Sequence, residues 1–216
     1  QKIAAEFLGT LILLMAITGS GIMAENLSGG NTGLALLAHA ISVGATLYVI
    51  ITMLGPISGA HFNPAVSFVF FLRKNLTAKL ALLYITAQIA GGIAGVWLTH
   101  IMFELDILQT ATKVRTGYGQ FFGELIATFG LMFTILATLK ARASSVPAAV
   151  GFYITAAIWF TSSTSLANPA VTIARSFSDT FTGIRPEDIF LFIMAQFIGA
   201  LLAGTVSLAM LRPQQN

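Results

Sequence analysis

Six stretches of this 216-residue chain are long and apolar enough to cross a bilayer: roughly 3–24, 34–54, 79–103, 118–139, 147–164 and 188–210. A hydrocarbon core about 30 Å thick needs roughly 20 apolar helical residues. Gly, Pro, Asn, Ser or charged residues flank each stretch, as connecting turns require. Two further apolar stretches are too short to cross. Asn63–Leu72 and Asn168–Phe177 would each span about 15 Å as helix, half the hydrocarbon thickness. Length alone leaves them as interfacial helices or as half-spanning ones.

Composition narrows the class. Charged residues make up 9% of the chain and hydrophobic residues 56%, against about 25% charged in an ordinary soluble domain. Too few charges exist to coat a soluble surface, so most of the exterior must face lipid. No basic block suggests a nucleic-acid partner. The absence of Cys removes disulfides, thiolate metal sites and cysteine nucleophiles. Residue 1 already abuts an apolar helix without an initiator Met, so the true N-terminus is expected to be missing.

Basic residues orient the spans. Lys2, Arg73, Lys74, Lys79, Lys140, Arg142 and Arg212 fall on one face with no acidic neighbour, while the opposite connections mix signs. The positive-inside rule therefore puts both termini in the cytoplasm.

The chain also repeats itself. Asn-Pro-Ala-Val at 63–66 returns at 168–171, 105 residues on. Glu6-Phe-Leu-Gly-Thr10 resembles Glu124-Leu-Ile-Ala-Thr128, offset by 118, and Ala87-Gln88 with Gly91 and Gly95 matches Ala195-Gln196 with Gly199 and Ala203, offset by 108. The halves are roughly 1–103 and 118–210, three spans each. An odd number of spans inverts the second half, and inverted repeats with matched half-spanning helices point to a transport site near the midplane. The pairs Gly91–Gly95 and Ala200–Gly204 are read as close helix crossings.

Asn-Pro-Ala carries the chemistry. Pro suits the first helical position and Asn the cap before it, so Asn63-Pro64-Ala65 and Asn168-Pro169-Ala170 each start a short helix. If these enter from opposite faces, two positive helix ends meet near the bilayer centre. The preceding backbone, 58–62 and 165–167, cannot be helical throughout, and irregular backbone at that depth survives only where protein or water satisfies it. Its carbonyls suit a solute that both donates and accepts hydrogen bonds, and a bare cation is disfavoured.

The run Ile57-Ser-Gly-Ala-His-Phe-Asn-Pro-Ala-Val66, with Asn168-Pro-Ala170 and the Glu-led spans, closely resembles the aquaporin and glycerol-facilitator family over nearly the whole chain. The resemblance implies an all-α membrane protein of six transmembrane helices plus two re-entrant half-helices, forming a single channel domain over 1–216. It further implies a homotetramer with one pore per subunit, no cofactor and no catalytic residue. Exclusion of cations by the half-helix dipoles comes with the resemblance. By resemblance Glu6 and Glu124 accept hydrogen bonds from the re-entrant backbone, a proton relay being the rival reading, and His61 lines the cytoplasmic half of the pore. His39 and His100 lack metal-ligand spacing and are read as structural.

The selectivity filter departs from a water channel. The position three residues after the second Asn, usually Arg in the family, is Val171. Counting from the motifs adds Ser165 and Val43, and alignment of Gly151-Phe152 with the family's fifth helix adds Ile158, to within a residue or two. This set lacks Arg, His and aromatic rings, so a wide, apolar opening is expected. Polyols and undissociated metalloid hydroxides such as arsenous acid then join water as solutes, in the manner of a bacterial subgroup associated with arsenic resistance. A bacterial inner membrane follows from the same resemblance. Arg175, four residues beyond Val171, either projects into the outer vestibule or snorkels to the interface. A strict water channel is the alternative. An ion-coupled transporter would need an intramembrane charge pair, and an enzyme a nucleophile–base set, metal cluster or phosphate loop that this sequence lacks.

Overall fold

The computed structural model describes residues 1–211. Arg212, counted above among the basic residues, lies outside them. Eight helices follow one another: α1 (Lys2–Leu27), α2 (Thr32–Ser58), α3 (Pro64–Leu72), α4 (Ala78–Met102), α5 (Tyr118–Arg142), α6 (Val146–Phe160), α7 (Pro169–Arg175) and α8 (Ile189–Met210). No strand occurs among the described residues. Six helices form the bundle, and the nine-residue α3 and seven-residue α7 are too short to cross.

Helix ends follow local chemistry. Asn31 Oδ1 accepts from Leu34 N at 3.0 Å to start α2, and Thr77 Oγ1 accepts from Leu80 N at 3.2 Å to start α4. Helix α2 runs past Pro56 to Ser58, further than the 54 read from sequence. A proline in the final turn removes one donor without stopping the helix. Termination falls to Gly59, left-handed at φ 91°, whose N–H returns to Gly55 O. The fifth span is shorter than its 147–164 stretch. Helix α6 has 15 residues, about 22 Å, and a three-residue 3-10 turn, Ala143–Ser145, joins it to α5. Residues 161–164 instead turn into the second re-entrant loop.

The halves pack alike. Helix α1 packs on α2 and α4, α5 packs on α6 and α8, and α2 crosses α6 between the halves. Close approach fixes these crossings: a Cβ on Gly91 would lie 2.3 Å from Phe7 O, and one on Gly199 2.3 Å from Leu125 O. The second of these glycines is Gly199 rather than Gly204, where a Cβ would meet only Val69 Cγ1 at 3.4 Å. Gly44 and Gly151 make the α2–α6 crossing, a Cβ on Gly151 lying 2.6 Å from Gly44 O. Large apolar side chains such as Leu82, Phe152, Phe160, Phe190 and Leu208 cover the outside of the bundle. Lipid is the solvent that such a surface requires.

Candidate functional site

The two half-helices meet through their capping residues. Asn63 Oδ1 accepts from Ala65 N at 2.9 Å and Asn168 Oδ1 from Ala170 N at 3.0 Å, so each side-chain oxygen caps its own helix. The amide nitrogens cross over. Asn63 Nδ2 donates to Ala167 O at 2.8 Å and Asn168 Nδ2 to Phe62 O at 2.7 Å. Each amide has a second N–H, and both residues line a cavity of about 190 Å³.

The loops feeding these caps share a strained backbone. Gly59, Ala60 and Phe62 have φ of 91°, 50° and 48°; Thr164, Ser165 and Ala167, each 105 residues later, have 61°, 50° and 49°. Left-handed geometry at a non-glycine residue costs about 1 kcal/mol or more and persists only where its surroundings enforce it. Buried carboxylates do so here. Glu6 accepts from Ser58 Oγ (2.6 Å), His61 N (3.0 Å), Phe62 N (2.7 Å) and Gln88 Nε2 (2.8 Å). Glu124 accepts from Leu166 N and Ala167 N, both at 2.8 Å, and from Gln196 Nε2 at 2.6 Å. Ser58 Oγ and Ser163 Oγ also accept from the N–H two residues on, Ala60 and Ser165. Gln88 and Gln196 marked the repeat in the sequence. Their role as donors to the buried acids follows once one asks what neutralises a carboxylate in an apolar span.

The cavity runs from the face where the chain starts toward the paired asparagines. Its walls alternate apolar side chains of α1, α2, α5 and α6 with the loop residues 59–62 and 166–167. His61 lies on it, Nδ1 3.1 Å from Ser67 Oγ, its ring 4.6 Å from Phe70 and 5.4 Å from Tyr84. Val66 and Val171, equivalent residues of α3 and α7, both line it. Val43 and Ile158 are buried beside Val171 in one apolar cluster but outside the cavity wall, and Ser165 is buried with a hydroxyl that bonds to no protein group. Arg175 is buried rather than extended to the interface, its Nε donating to Thr182 O. His39 pairs with Ser20 Oγ (2.8 Å), and His100 with Ile107 O and Ser178 Oγ (both 2.9 Å). No cluster of metal-ligating side chains occurs among the described residues.

Arg115 belongs to the loop between α4 and α5, among the mixed charges of the connections opposite the termini. It is buried, donating from Nε to Gly183 O at 2.8 Å and from Nη1 to Ser163 O at 3.2 Å and Thr164 Oγ1 at 3.3 Å. These partners lie 48 to 68 residues away, beyond the reach of any local pattern.

The comparisons agree with this geometry. The family model for "Major intrinsic protein" matches residues 1–210. The chain belongs to the major intrinsic protein family. As a member of that family it is a passive membrane channel for water and small solutes, not an enzyme. This major intrinsic protein is 51% identical over 213 residues to aquaglyceroporin AqpS of Rhizobium meliloti, covering 99% of this chain and 91% of that one. It is 34% identical over 214 residues to the probable aquaporin TIP1-1 of Oryza sativa, covering 94% and 83%. Its fold matches the aquaglyceroporin of Plasmodium falciparum with a TM-score of 0.77 at 22% identity, over 98% and 96% of the two chains.

Proposed function

We propose that this channel has an apolar filter, formed by Val43, Ile158, Ser165 and Val171, which passes polyols and undissociated metalloid hydroxides such as arsenous acid together with water. The observation that carries the proposal is Val171, an aliphatic side chain on the cavity wall where the family usually places Arg. A filter without fixed charge imposes a small desolvation penalty on carbon-bearing or neutral hydroxylated solutes. The second N–H of Asn63 and of Asn168, both on the cavity wall, supplies the polar contacts such a solute needs. The name of the 51%-identical relative, an aquaglyceroporin, supports the polyol half of this reading.

In this reading the whole chain is one channel domain, with inverted repeats of about 1–103 and 118–210 meeting at Asn63-Pro64-Ala65 and Asn168-Pro169-Ala170. His61 lines one half of the path and Arg175 the other. Glu6 and Glu124 are supports for the loops; carboxylates whose oxygens only accept hydrogen bonds have no onward path for a proton. The channel works as a homotetramer in a bacterial inner membrane with both termini cytoplasmic, the orientation favoured by Lys2, Lys74, Lys140 and Arg142.

Stopped-flow light scattering on proteoliposomes in a glycerol gradient tests the filter, since shrinkage reports water and reswelling reports solute. Fast reswelling in the wild type and its loss in Val171→Arg, with shrinkage retained, are expected. Unchanged reswelling in Val171→Arg would place the constriction elsewhere. Fast shrinkage with no reswelling in the wild type would make this a strict water channel.

A further inference from the structure

The two halves share one polar network but direct its last proton differently. In the second half, Gln196 Nε2 donates to Glu124 Oε2 at 2.6 Å and to Thr172 Oγ1 at 2.8 Å, and Thr172 Oγ1 donates to Asn168 O at 2.9 Å. In the first half, Gln88 Nε2 donates to Glu6 Oε2 at 2.8 Å and to Ser67 Oγ at 2.9 Å. Ser67 is the counterpart of Thr172, yet the other partner of its hydroxyl is His61 Nδ1, at 3.1 Å, rather than the carbonyl of Asn63. Gln88 cannot turn over, because its Oε1 would then face the Glu6 carboxylate, acceptor against acceptor. A hydroxyl carries one proton. With Gln88 donating to it, Ser67 Oγ gives that proton to His61, so Nδ1 accepts and the ring hydrogen sits on Nε2.

The ring is held in place and its free nitrogen faces the path. Phe70 packs on it at 4.6 Å and Tyr84 edge-on at 5.4 Å, while the His61 backbone N–H donates to Glu6 Oε1 at 3.0 Å. Nε2 bonds to no protein group. His61 is half-buried on the cavity wall, and a Cβ on Gly59, another wall residue, would stand 3.4 Å from Nε2. The missing side chain of Gly59 leaves that nitrogen room for a solute. Three polar side chains line the cavity: Asn63, Asn168 and His61. The second loop carries Leu166 where the first carries His61, so this donor belongs to one half alone.

We propose that Ser67 and Gln88 are positioning residues that fix His61 as its Nε2–H tautomer, giving the pore one permanent donor beside the paired asparagines that favours solutes presenting a carbonyl. The proposal rests on the reading that His61 lines the solute path. A hydroxyl of glycerol accepts from Nε2–H or donates to a bare Nε2, so glycerol passes with either tautomer. A carbonyl oxygen only accepts, and meets a partner there only while the proton stays on Nε2.

Solid-state nitrogen NMR of the full chain in lipid vesicles, labelled at histidine and held at pH 8, reads the tautomer. The His61 signal is the one lost in His61→Gln. Wild type is expected to show a protonated Nε2 and a bare Nδ1; a protonated Nδ1 overturns the proposal. Ser67→Ala is expected to give a mixture of the two tautomers, and a signal unchanged from wild type overturns it. Glu6→Gln acts from a distance: the Gln88 amide turns over, Ser67 donates to Gln88 Oε1, and His61 must donate from Nδ1. A ring proton that stays on Nε2 in Glu6→Gln overturns the proposal, whether or not Ser67→Ala folds. In the same Glu6→Gln vesicles, reswelling in dihydroxyacetone relative to glycerol is expected to fall about threefold. These two solutes differ only in a carbonyl at the middle carbon, and a constant ratio with the proton moved overturns the selectivity. Wild-type vesicles that do not reswell in glycerol would fault the proposed polyol filter and leave the tautomer assignment intact.

Discussion

Replacing Glu6 with Gln separates a scaffold from a proton carrier. The side chain keeps its shape and loses its charge, and one of its two oxygens becomes an NH₂ group. The Gln88 amide can turn over to meet it, because Gln88 Oε1 has no present partner and Ser67 Oγ, now accepting from Gln88 at 2.9 Å, can donate instead. One donor is left facing a donor: the Phe62 N–H, now 2.7 Å from Glu6 Oε2. A buried unsatisfied donor costs about 1–3 kcal/mol. Weaker bonds to a neutral acceptor add to this, and relief of the buried charge offsets part of it. A net loss of about 1–3 kcal/mol is expected for Glu6→Gln. Glu6→Ala strands both His61 N–H and Phe62 N–H and is expected to lose about 2–6 kcal/mol. Thermal unfolding in detergent reads the order, and glycerol flux at pH 5.5 and 8 reads the function. The support role requires wild-type flux with unchanged pH dependence in Glu6→Gln, at reduced stability. Full stability together with abolished pH dependence would refute it and make Glu6 a proton carrier.

Other outcomes follow from the same contacts. Glu124→Gln should destabilise more than Glu6→Gln, because Thr172 Oγ1 already donates to Asn168 O at 2.9 Å and cannot turn to a flipped Gln196; the same unfolding measurement compares them. Asn63→Ala removes the cap on Ala65 and the donor to Ala167 O, a combined cost of about 2–4 kcal/mol, with loss of glycerol flux before loss of the bundle. Gly9→Ala places a Cβ 2.0 Å from the Phe62 ring, so the ring beside Asn63 must move; a cost of about 1–3 kcal/mol and slowed reswelling are expected. Burial first, then Arg115 and Arg175, lower the Lys113 ammonium from 10.5 to about 8, with Glu25 opposing. The unfolded chain therefore holds the extra proton between about pH 8 and 10.5, so the Lys113 contribution to stability rises with pH across that window. Replacing Lys113 by Gln should flatten the rise, as thermal unfolding against pH would reveal.

Much of this architecture is legible in sequence because bilayer thickness and backbone satisfaction leave few options. Runs of about twenty apolar residues can only be spans, and Asn-Pro before a short apolar run can only open a helix there. Matching glutamates and glutamines at offsets of 118 and 108 already contained the loop supports. What sequence misjudges is local. The second stretch, 34–54, stops short of Pro56, yet the last turn of α2 tolerates that proline and Gly59 ends the helix. The fifth span read four residues too far because Thr161–Thr164 are uncharged, although they form the turn into the second loop. Arg115 was invisible as a structural residue because its carbonyl partners carry no side-chain signature.

The crossed asparagine amides bear on how the polypeptide is made. Asn63 needs the carbonyl of Ala167, which the ribosome adds 104 residues later. At roughly 5–20 residues per second, several seconds or more pass between the two. During that interval the first half-helix sits beside its bundle with its left-handed loop held only from its own half, by Glu6, Ser58 and Tyr84, and with one amide hydrogen seeking water. Insertion of the first three spans therefore yields an unfinished product, and the clasp closes only when the last half arrives from the other face. Lesions in the second loop should accordingly leave the first half exposed to membrane quality control, even where every residue of that half is intact.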